Sequence, residues 1–226
     1  MDVLVTGCDT DLGRKVAQGF CDADHQLVLA GSRRQELEVA AKDLDVSDTQ
    51  VIVFDNTDPA SLASVHSRIP AHLDVIVNVP VPVASDRDPR TYTLADHAAE
   101  WRGCYDANLL STVLTLQVLG DHLRSGGSVI TVIPDAAGEG SAQAAVKAAI
   151  SAWTAGVANQ YGTRGITVNA VAAGRGVEPG YGGLGSNPPS VSAEIARLSL
   201  FLATPAARHI TGQTLHVSHG ALANFG

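Results

Sequence analysis

A glycine-rich turn is the first place in this chain where a ligand could bind. Residues 6–13 read TGCDTDLG and connect a short aliphatic run to an amphipathic segment. A turn of this kind can bring backbone amides and the positive end of a helix against a pyrophosphate group. Turns with an Asp at the helix start also occur where nothing binds. The turn alone therefore leaves both interpretations open.

Two arginines after the second aliphatic run are candidates for recognising a phosphate. Arg33 and Arg34 end the segment AGSRR, which contains no acidic residue to accept a hydrogen bond from a ribose 2′-hydroxyl. A guanidinium can instead pair with a 2′-phosphate, so this pattern favours NADP over NAD if a dinucleotide binds. In the alternative interpretation, both arginines only cover the start of a helix.

The histidine pair His216 and His219 is a poor candidate for a metal site. Both residues lie in the segment HVSH at the end of the last aliphatic run. On a strand, residues three positions apart point to opposite faces, and the sequence shows no third ligand nearby. The sequence therefore predicts no metal site.

Seven short aliphatic runs alternate with longer amphipathic segments along the chain. Continuous apolar runs suit strands that are buried on both faces, and the segments between them have helical spacing. The predicted strands are 3–5, 27–30, 51–54, 75–79, 128–133, 166–171 and 215–217. The predicted helices are 12–23, 35–44, 60–67, 95–123, 142–160 and 193–202. This alternation predicts an α/β fold with a doubly wound parallel sheet, interrupted by a Gly- and Pro-rich loop at 174–189.

Length and composition favour one globular domain over residues 1–226. Hydrophobic residues make up 45% of the chain and charged residues 17%, which excludes a disordered protein and a coiled coil. The net charge of −8 argues against nucleic acid and anionic membranes as partners.

The cysteines and the apolar segments indicate in which cellular compartment the protein is expected. Cys8, Cys21 and Cys104 are odd in number and lack CxxC spacing, so neither a disulfide framework nor a zinc site is expected. No export signal is visible, and the most apolar stretch, 75–84, is too short to span a bilayer. The expected location is the cytoplasm.

Further segments resemble those of a known family. Asn78 follows the fourth predicted strand, Trp101 and Asn108 form a WxxxxxxN pair, and RGITVNAV and ITGQTLHV lie near the end of the chain. In their order and spacing, over nearly all of the chain, these segments resemble the short-chain dehydrogenase/reductase family. The resemblance implies a Rossmann-like sheet with strand order 3-2-1-4-5-6-7. It also implies a homodimer or homotetramer built through the helices near 95–123 and 142–160.

The family transfers a hydride between a nicotinamide and a carbonyl or alcohol, with Asn, Ser, Tyr and Lys as its catalytic set. The resemblance places the Asn at Asn108 and the Lys at Lys147, but it puts Gln143 at the Tyr position and Asp135 at the Ser position. A Gln amide has no proton to give near neutral pH. A carboxylate at position 135 would repel a developing oxyanion. The usual proton chemistry is therefore expected to be lost.

Three interpretations of these replacements remain open. Asp135 and Lys147 could form a structural ion pair, or Asp135 could serve as the acid of a different reaction. In the third interpretation, Tyr181 in the Gly-rich loop supplies the missing phenol.

The cofactor positions implied by the resemblance are only partly kept. In the family's TGxxxGxG turn, Gly7 and Gly13 remain, whereas Asp11 replaces the middle glycine. An Asp at a helix start normally caps it, and we expect Asp11 to satisfy the amides and the dipole that would hold a pyrophosphate. Val81 and Glu178 also replace a Gly and a Thr of the cofactor cleft. Nicotinamide dinucleotides are therefore expected to bind weakly or not at all.

The remaining cofactor candidates are Asp55 at the adenine position, Asn78 and Lys147. Two functions follow from this mixture. The protein is either an oxidoreductase that uses NADP or NAD on a small carbonyl or alcohol, or a non-catalytic ligand-binding or oligomer-partner protein that keeps only the fold.

Overall fold

A parallel sheet organises the computed structural model, which describes residues 1–45, 50–81, 89–133, 141–173 and 190–217. Within these ranges the sheet has seven strands in the order β3-β2-β1-β4-β5-β6-β7. They are β1 Asp2–Val5, β2 Gln26–Gly31, β3 Gln50–Val53, β4 Leu73–Asn78, β5 Leu123–Ile133, β6 Thr167–Ala173 and β7 Thr214–Val217. All seven predicted strands and the predicted strand order are confirmed.

Helices connect successive strands, as the alternating pattern predicts. They are α1 Asp11–Cys21, α2 Arg34–Asp43, α3 Pro59–Val65, α4 Leu94–Tyr105, α5 Ser111–Leu119, α6 Ala142–Gly162 and α7 Val191–Leu202. The long helical segment predicted over 95–123 is confirmed, because helical backbone runs from Leu94 to His122, where β5 follows. Within this run a π-helical turn, Asp106–Leu110, lies between α4 and α5, and a 3₁₀ turn, Gly120–His122, precedes β5.

The helices cover both faces of the sheet, as expected for a doubly wound fold. Alternate residues of β1 show this arrangement, because Val3 and Val5 share one apolar cluster with Phe20 of α1. Leu4 instead belongs to the cluster that contains Leu62 of α3. Burial on both sides explains why the strands are continuous apolar runs instead of alternating ones.

Two glycines hold the turn between β1 and α1 in close contact with its surroundings. Gly7 has a φ of +64°, and a Cβ added there would lie 2.3 Å from the carbonyl oxygen of Val79, just after β4. A Cβ added at Gly13 would lie 2.0 Å from the carbonyl oxygen of Gly7. Helix α1 therefore packs directly on the turn, and the turn packs on the chain that leaves β4.

This packing predicts that Gly13→Ala destabilises the protein. The added methyl meets backbone that has to shift, which costs about 1–3 kcal/mol of unfolding free energy, or about 2–4 °C of Tm per kcal/mol in a chain of this size. Gly156→Ala in α6 is the matched control, because nothing lies within 4 Å of a Cβ at that position. It should raise the unfolding free energy by about 0.5–1 kcal/mol. Thermal unfolding measures both changes, and equal effects of the two substitutions would contradict the packing argument.

Three large apolar side chains of α4 are exposed along one side of the helix. Leu94, Trp101 and Tyr105 have exposed fractions of 89%, 47% and 47%. Their spacing of seven and then four residues puts them in one stripe. An exposed apolar stripe of this kind is typical of an interaction surface. We propose that it joins two copies of this chain, in agreement with the assembly expected near residues 95–123.

This proposal predicts that Trp101→Glu weakens self-association. The native protein should sediment as a dimer or tetramer of its 23.3 kDa chain at micromolar concentration. The variant should shift toward the monomer, because a carboxylate would be buried at the interface without a partner. Val39→Glu on α2, at a side chain that is 49% exposed, is the matched control and should leave the assembly unchanged. A native monomer would overturn the proposal.

Candidate functional site

Most of the predicted site residues lie at the carboxyl edge of the sheet. Gly7 follows β1, Arg33 lies between β2 and α2, and Asp55 follows β3. Lys147 of α6 reaches the same edge, since its Nζ donates a hydrogen bond to the carbonyl oxygen of Ala173, the last residue of β6, over 3.5 Å. In open α/β sheets, ligands bind outside the carboxyl ends of the strands.

A cavity of about 210 Å³ opens at this edge. Its walls include Gly7, Gly31, Phe54, Asp55 and Val81. Val81 thus lines the cavity, as expected of a residue that narrows the cleft. The side chain of Phe54 is apolar and almost completely buried, which suits the face of a purine ring.

Asp55 keeps one carboxylate oxygen for a ligand. Its Oδ1 accepts hydrogen bonds from the amide and the hydroxyl of Thr57 at 2.8 and 2.7 Å. These two bonds fix the orientation of the carboxylate. The other oxygen can accept a hydrogen bond from a donor in the cavity.

The prediction that Asp11 caps α1 is wrong. The cap is Thr10, whose hydroxyl accepts a hydrogen bond from the amide of Gly13 at 3.0 Å and donates to the carbonyl oxygen of Gly7 at 2.7 Å. Thr10 has the extended backbone that a cap requires, whereas Asp11 is the first residue inside the helix. The Asp11 side chain is 97% exposed and pairs with Arg14. It adds negative charge near the helix start without occupying the amides there.

Arg33 has a carboxylate partner within the protein. Its Nε donates a hydrogen bond to Oδ2 of Asp9 at 3.2 Å, and its Nη1 lies 3.5 Å from Glu36. Arg34 similarly lies 3.6 Å from Glu38. Sequence reasoning missed Asp9, because 24 residues separate it from Arg33 and only the pairing of β1 with β2 brings the two together.

Cys8 is not a candidate nucleophile at this site. Complete burial raises the pKa of its thiol to about 12, with a smaller contribution in the same direction from the charge of Asp9. The thiol therefore stays protonated, and the thiolate that would act as a nucleophile does not form near neutral pH.

Asn108 lies inside the π-helical turn between α4 and α5. Its side-chain amide donates a hydrogen bond to the main-chain carbonyl oxygen of Cys104 at 2.8 Å. The main-chain carbonyl of Asn108 accepts a hydrogen bond from the hydroxyl of Thr112, also at 2.8 Å. Ala107, the preceding residue, lines the cavity. Single π-helical turns often occur at functional sites because they redirect part of a helix.

Gln143 and Lys147 lie one turn apart on α6. Both side chains are half-buried, and the spacing of four residues puts them on the same side of the helix. The helix begins at Ala142, and its cap is Ser141, which accepts a hydrogen bond from the amide of Ala144 at 3.1 Å. Asp135, Glu178, Tyr181 and His219 lie outside the described residues.

Two further polar side chains lie at this edge: His216, which sequence reasoning did not place beside Lys147, and Asn78, which it named as a cofactor candidate. Partial burial lowers the pKa of His216, and the charge of Lys147 lowers it further. Among the described residues, no three potential metal ligands lie together. Asn78 is buried, and neither polar atom of its side chain has a hydrogen-bond partner within the described ranges. A buried amide in this state is available to a ligand or to a neighbouring polar group.

No helix in the described part of the chain is long and apolar enough to cross a membrane.

Comparisons with known proteins agree on one family. The family model for short chain dehydrogenases matches residues 2–177. A protein of Mycobacterium tuberculosis strain H37Rv named "Putative oxidoreductase" is 58% identical over 226 residues, which are all of both chains. The 3-oxoacyl-acyl-carrier-protein reductase of Escherichia coli K12 is 29% identical over 96% of this chain and 95% of the reductase.

A solved structure shows the same fold. It is that of a Brucella melitensis short-chain dehydrogenase/reductase, also named a glucose/ribitol dehydrogenase, with a TM-score of 0.79 at 22% identity. The match covers 98% of this chain and 97% of that one. Together with the match to the family model, these likenesses show that the chain belongs to the short-chain dehydrogenase/reductase family.

Proposed function

We propose that the protein is an oxidoreductase that binds a nicotinamide dinucleotide at the carboxyl edge of its sheet and acts on a small carbonyl or alcohol. The observation that carries this proposal is the cavity of about 210 Å³ beside Gly7 and Asp55, on the same edge as Lys147 and the π-helical turn of Asn108. The dinucleotide, when bound, supplies or accepts the hydride. The protein supplies binding and orientation.

The described residues hold such a cofactor in three ways. The turn at Gly7 places backbone amides and the start of α1 beside the cavity. Phe54 and Asp55, which line the cavity, would face the adenine ring and its amine. Lys147 would offer the ammonium donors that do not bond Ala173 to the hydroxyls of the second ribose.

Gln143 changes the proton chemistry of the reaction. It stands where the family has its Tyr, and its amide can donate a hydrogen bond to a carbonyl without giving up a proton. The site therefore positions and polarises a carbonyl, while the proton comes from another group. We propose that turnover is slow for this reason.

A second candidate function is ligand binding without catalysis. The two glycines that the turn keeps, Gly7 and Gly13, are those for which a side chain would collide with backbone. The one it lacks is the middle glycine, which lets backbone approach a pyrophosphate. Asp11 at that position is 97% exposed and meets no packing constraint. The turn therefore keeps the two glycines that backbone packing requires and lacks the glycine that pyrophosphate binding requires.

We also propose that the protein works in the cytoplasm. Its three cysteines are free thiols, and two of them, Cys8 and Cys104, are buried. Free thiols are typical of proteins in a reducing compartment.

Calorimetry with NADH, NADPH and their oxidised forms tests the proposed function. We expect binding with a Kd of ~10–1000 μM, or about 4–7 kcal/mol, because the adenosine pocket is present while Asp11 opposes the pyrophosphate. Absence of binding at millimolar concentration would favour the second candidate. Binding below 1 μM would show that Asp11 has no adverse effect.

Restoring a phenol should raise turnover. In the Asp135→Ser background, Gln143→Tyr is expected to increase ketone reduction about 10²- to 10⁴-fold, since general acid catalysis usually contributes that much. Gln143→Phe in the same background is the matched control, because it adds the ring without the hydroxyl. Dinucleotide affinity should be the same in both variants. Equal turnover of the Tyr and Phe variants would show that the missing proton donor does not limit the reaction.

A further inference from the structure

The Asp9 carboxylate collects a set of hydrogen-bond donors at the end of β2. Its side chain is completely buried. The amide and the hydroxyl of Ser32 donate to Oδ2 at 3.3 and 3.2 Å. The amide and Nε of Arg33 donate to the same oxygen, both at 3.2 Å. A second guanidinium nitrogen donates to the main-chain carbonyl of Asp9.

The fold makes room for this carboxylate. A Cβ added at Gly31 would lie 2.4 Å from Asp9 Oδ1, so the last residue of β2 has to be a glycine for Asp9 to fit. The amide of Cys8 donates to the carbonyl oxygen of Ala30 at 3.0 Å and thereby holds the turn against β2. The position of Asp9 is therefore fixed by backbone contacts between the turn and β2.

The donors on Asp9 are of the kind that binds a phosphate. Two backbone amides at the start of a helix, a hydroxyl and a guanidinium form a compact group with positive potential. In dinucleotide-binding folds, the end of the second strand faces the 2′ position of the adenosine ribose. Ser32 and Gly31 also line the cavity assigned above to adenosine.

We infer that Asp9 is a built-in substitute for a 2′-phosphate, so that the site accepts NAD(H) and rejects NADP(H). This inference rests on the proposed binding of a dinucleotide. It reverses the preference for NADP that Arg33 and Arg34 suggest in the sequence. A 2′-phosphate would meet a buried carboxylate of the same charge on donors that are already occupied.

A 2′-hydroxyl has no such conflict, because it carries no charge and does not need the donors that Asp9 occupies. Oδ1 of Asp9 accepts no hydrogen bond within the described ranges, but it is buried against Gly31, so the effect of Asp9 on a ligand runs through the donors on Oδ2. The neighbouring cations do not offset the carboxylate for a phosphate. Arg14 pairs with Asp11 and Arg34 with Glu38, at 2.5 and 3.6 Å.

Calorimetry on the full chain tests the inference with four probes: NADH, NADPH, 5′-AMP and adenosine 2′,5′-bisphosphate. The native protein should bind NADH at least tenfold more tightly than NADPH, and 5′-AMP more tightly than the bisphosphate. Asp9→Ala frees the donors and should shift both ratios at least tenfold toward the phosphorylated probes. Asp9→Ala combined with Arg33→Ala should lose that gain, since the guanidinium then no longer pairs with the phosphate.

Two further variants test whether the shift comes from the Asp9 carboxylate itself, and not from a general change in net charge or from loss of fold. Asp43→Asn removes one negative charge from an exposed position at the end of α2 without freeing a donor of Ser32, Arg33 or Arg34, so both ratios should stay within twofold of the native values. Asp9→Asn keeps the volume of the side chain and protects the test against loss of fold. It should shift the ratios in the same direction as Asp9→Ala.

The possible outcomes distinguish this inference from the proposed function. If no dinucleotide binds to the native protein, the proposed function fails and the inference fails with it. Equal or tighter binding of NADPH by the native protein overturns the inference alone. An unchanged ratio in both Asp9 variants, with NADH still bound, overturns it as well.

Discussion

The contact between α1, the glycine-rich turn and the chain that leaves β4 is the constraint on which the rest of the structure depends. At Gly7 and Gly13 the backbones approach so closely that a Cβ would overlap a carbonyl oxygen. This approach sets the height of α1 above the sheet and the path of the turn across the ends of β1 and β4. It thereby determines where a cavity opens and which side chains face it.

The path of the glycine-rich turn also places Asp9 beside the end of β2. Because Gly31 has no side chain, the Asp9 carboxylate occupies the vacant volume and gathers the donors of Ser32 and Arg33. A buried carboxylate is stable only where donors surround it. The packing of the turn against β2 and the charge pattern beside the cavity are thus one arrangement, and a change to either affects the other.

The other part of the carboxyl edge contains Asn108, Lys147 and Gln143. A π-helical turn carries Asn108, and a hydrogen bond to the end of β6 holds Lys147. Gln143 lies on the same side of α6 as Lys147 but carries no titratable proton. In the proposed function, these residues would position a substrate, while the proton would come from another group. In physical terms, orientation and hydrogen bonding are separable from proton transfer.

The sequence by itself determined the seven strands, their order and the family, because strands buried on both faces are written as continuous apolar runs and the motifs keep their spacing. It also proposed Gly7, Asp55, Asn108 and Lys147 as candidate site residues. Only the tertiary structure decided between Thr10 and Asp11 as the cap, since both residue types cap helices and the backbone set by Gly7 makes the choice. The partner of Arg33 was likewise beyond sequence reasoning, because strand pairing, and not chain distance, brings Asp9 to it. The π-helical turn between α4 and α5, where the Asn108 amide bonds the carbonyl oxygen of Cys104, was also decided by the tertiary structure, because helical periodicity does not record it.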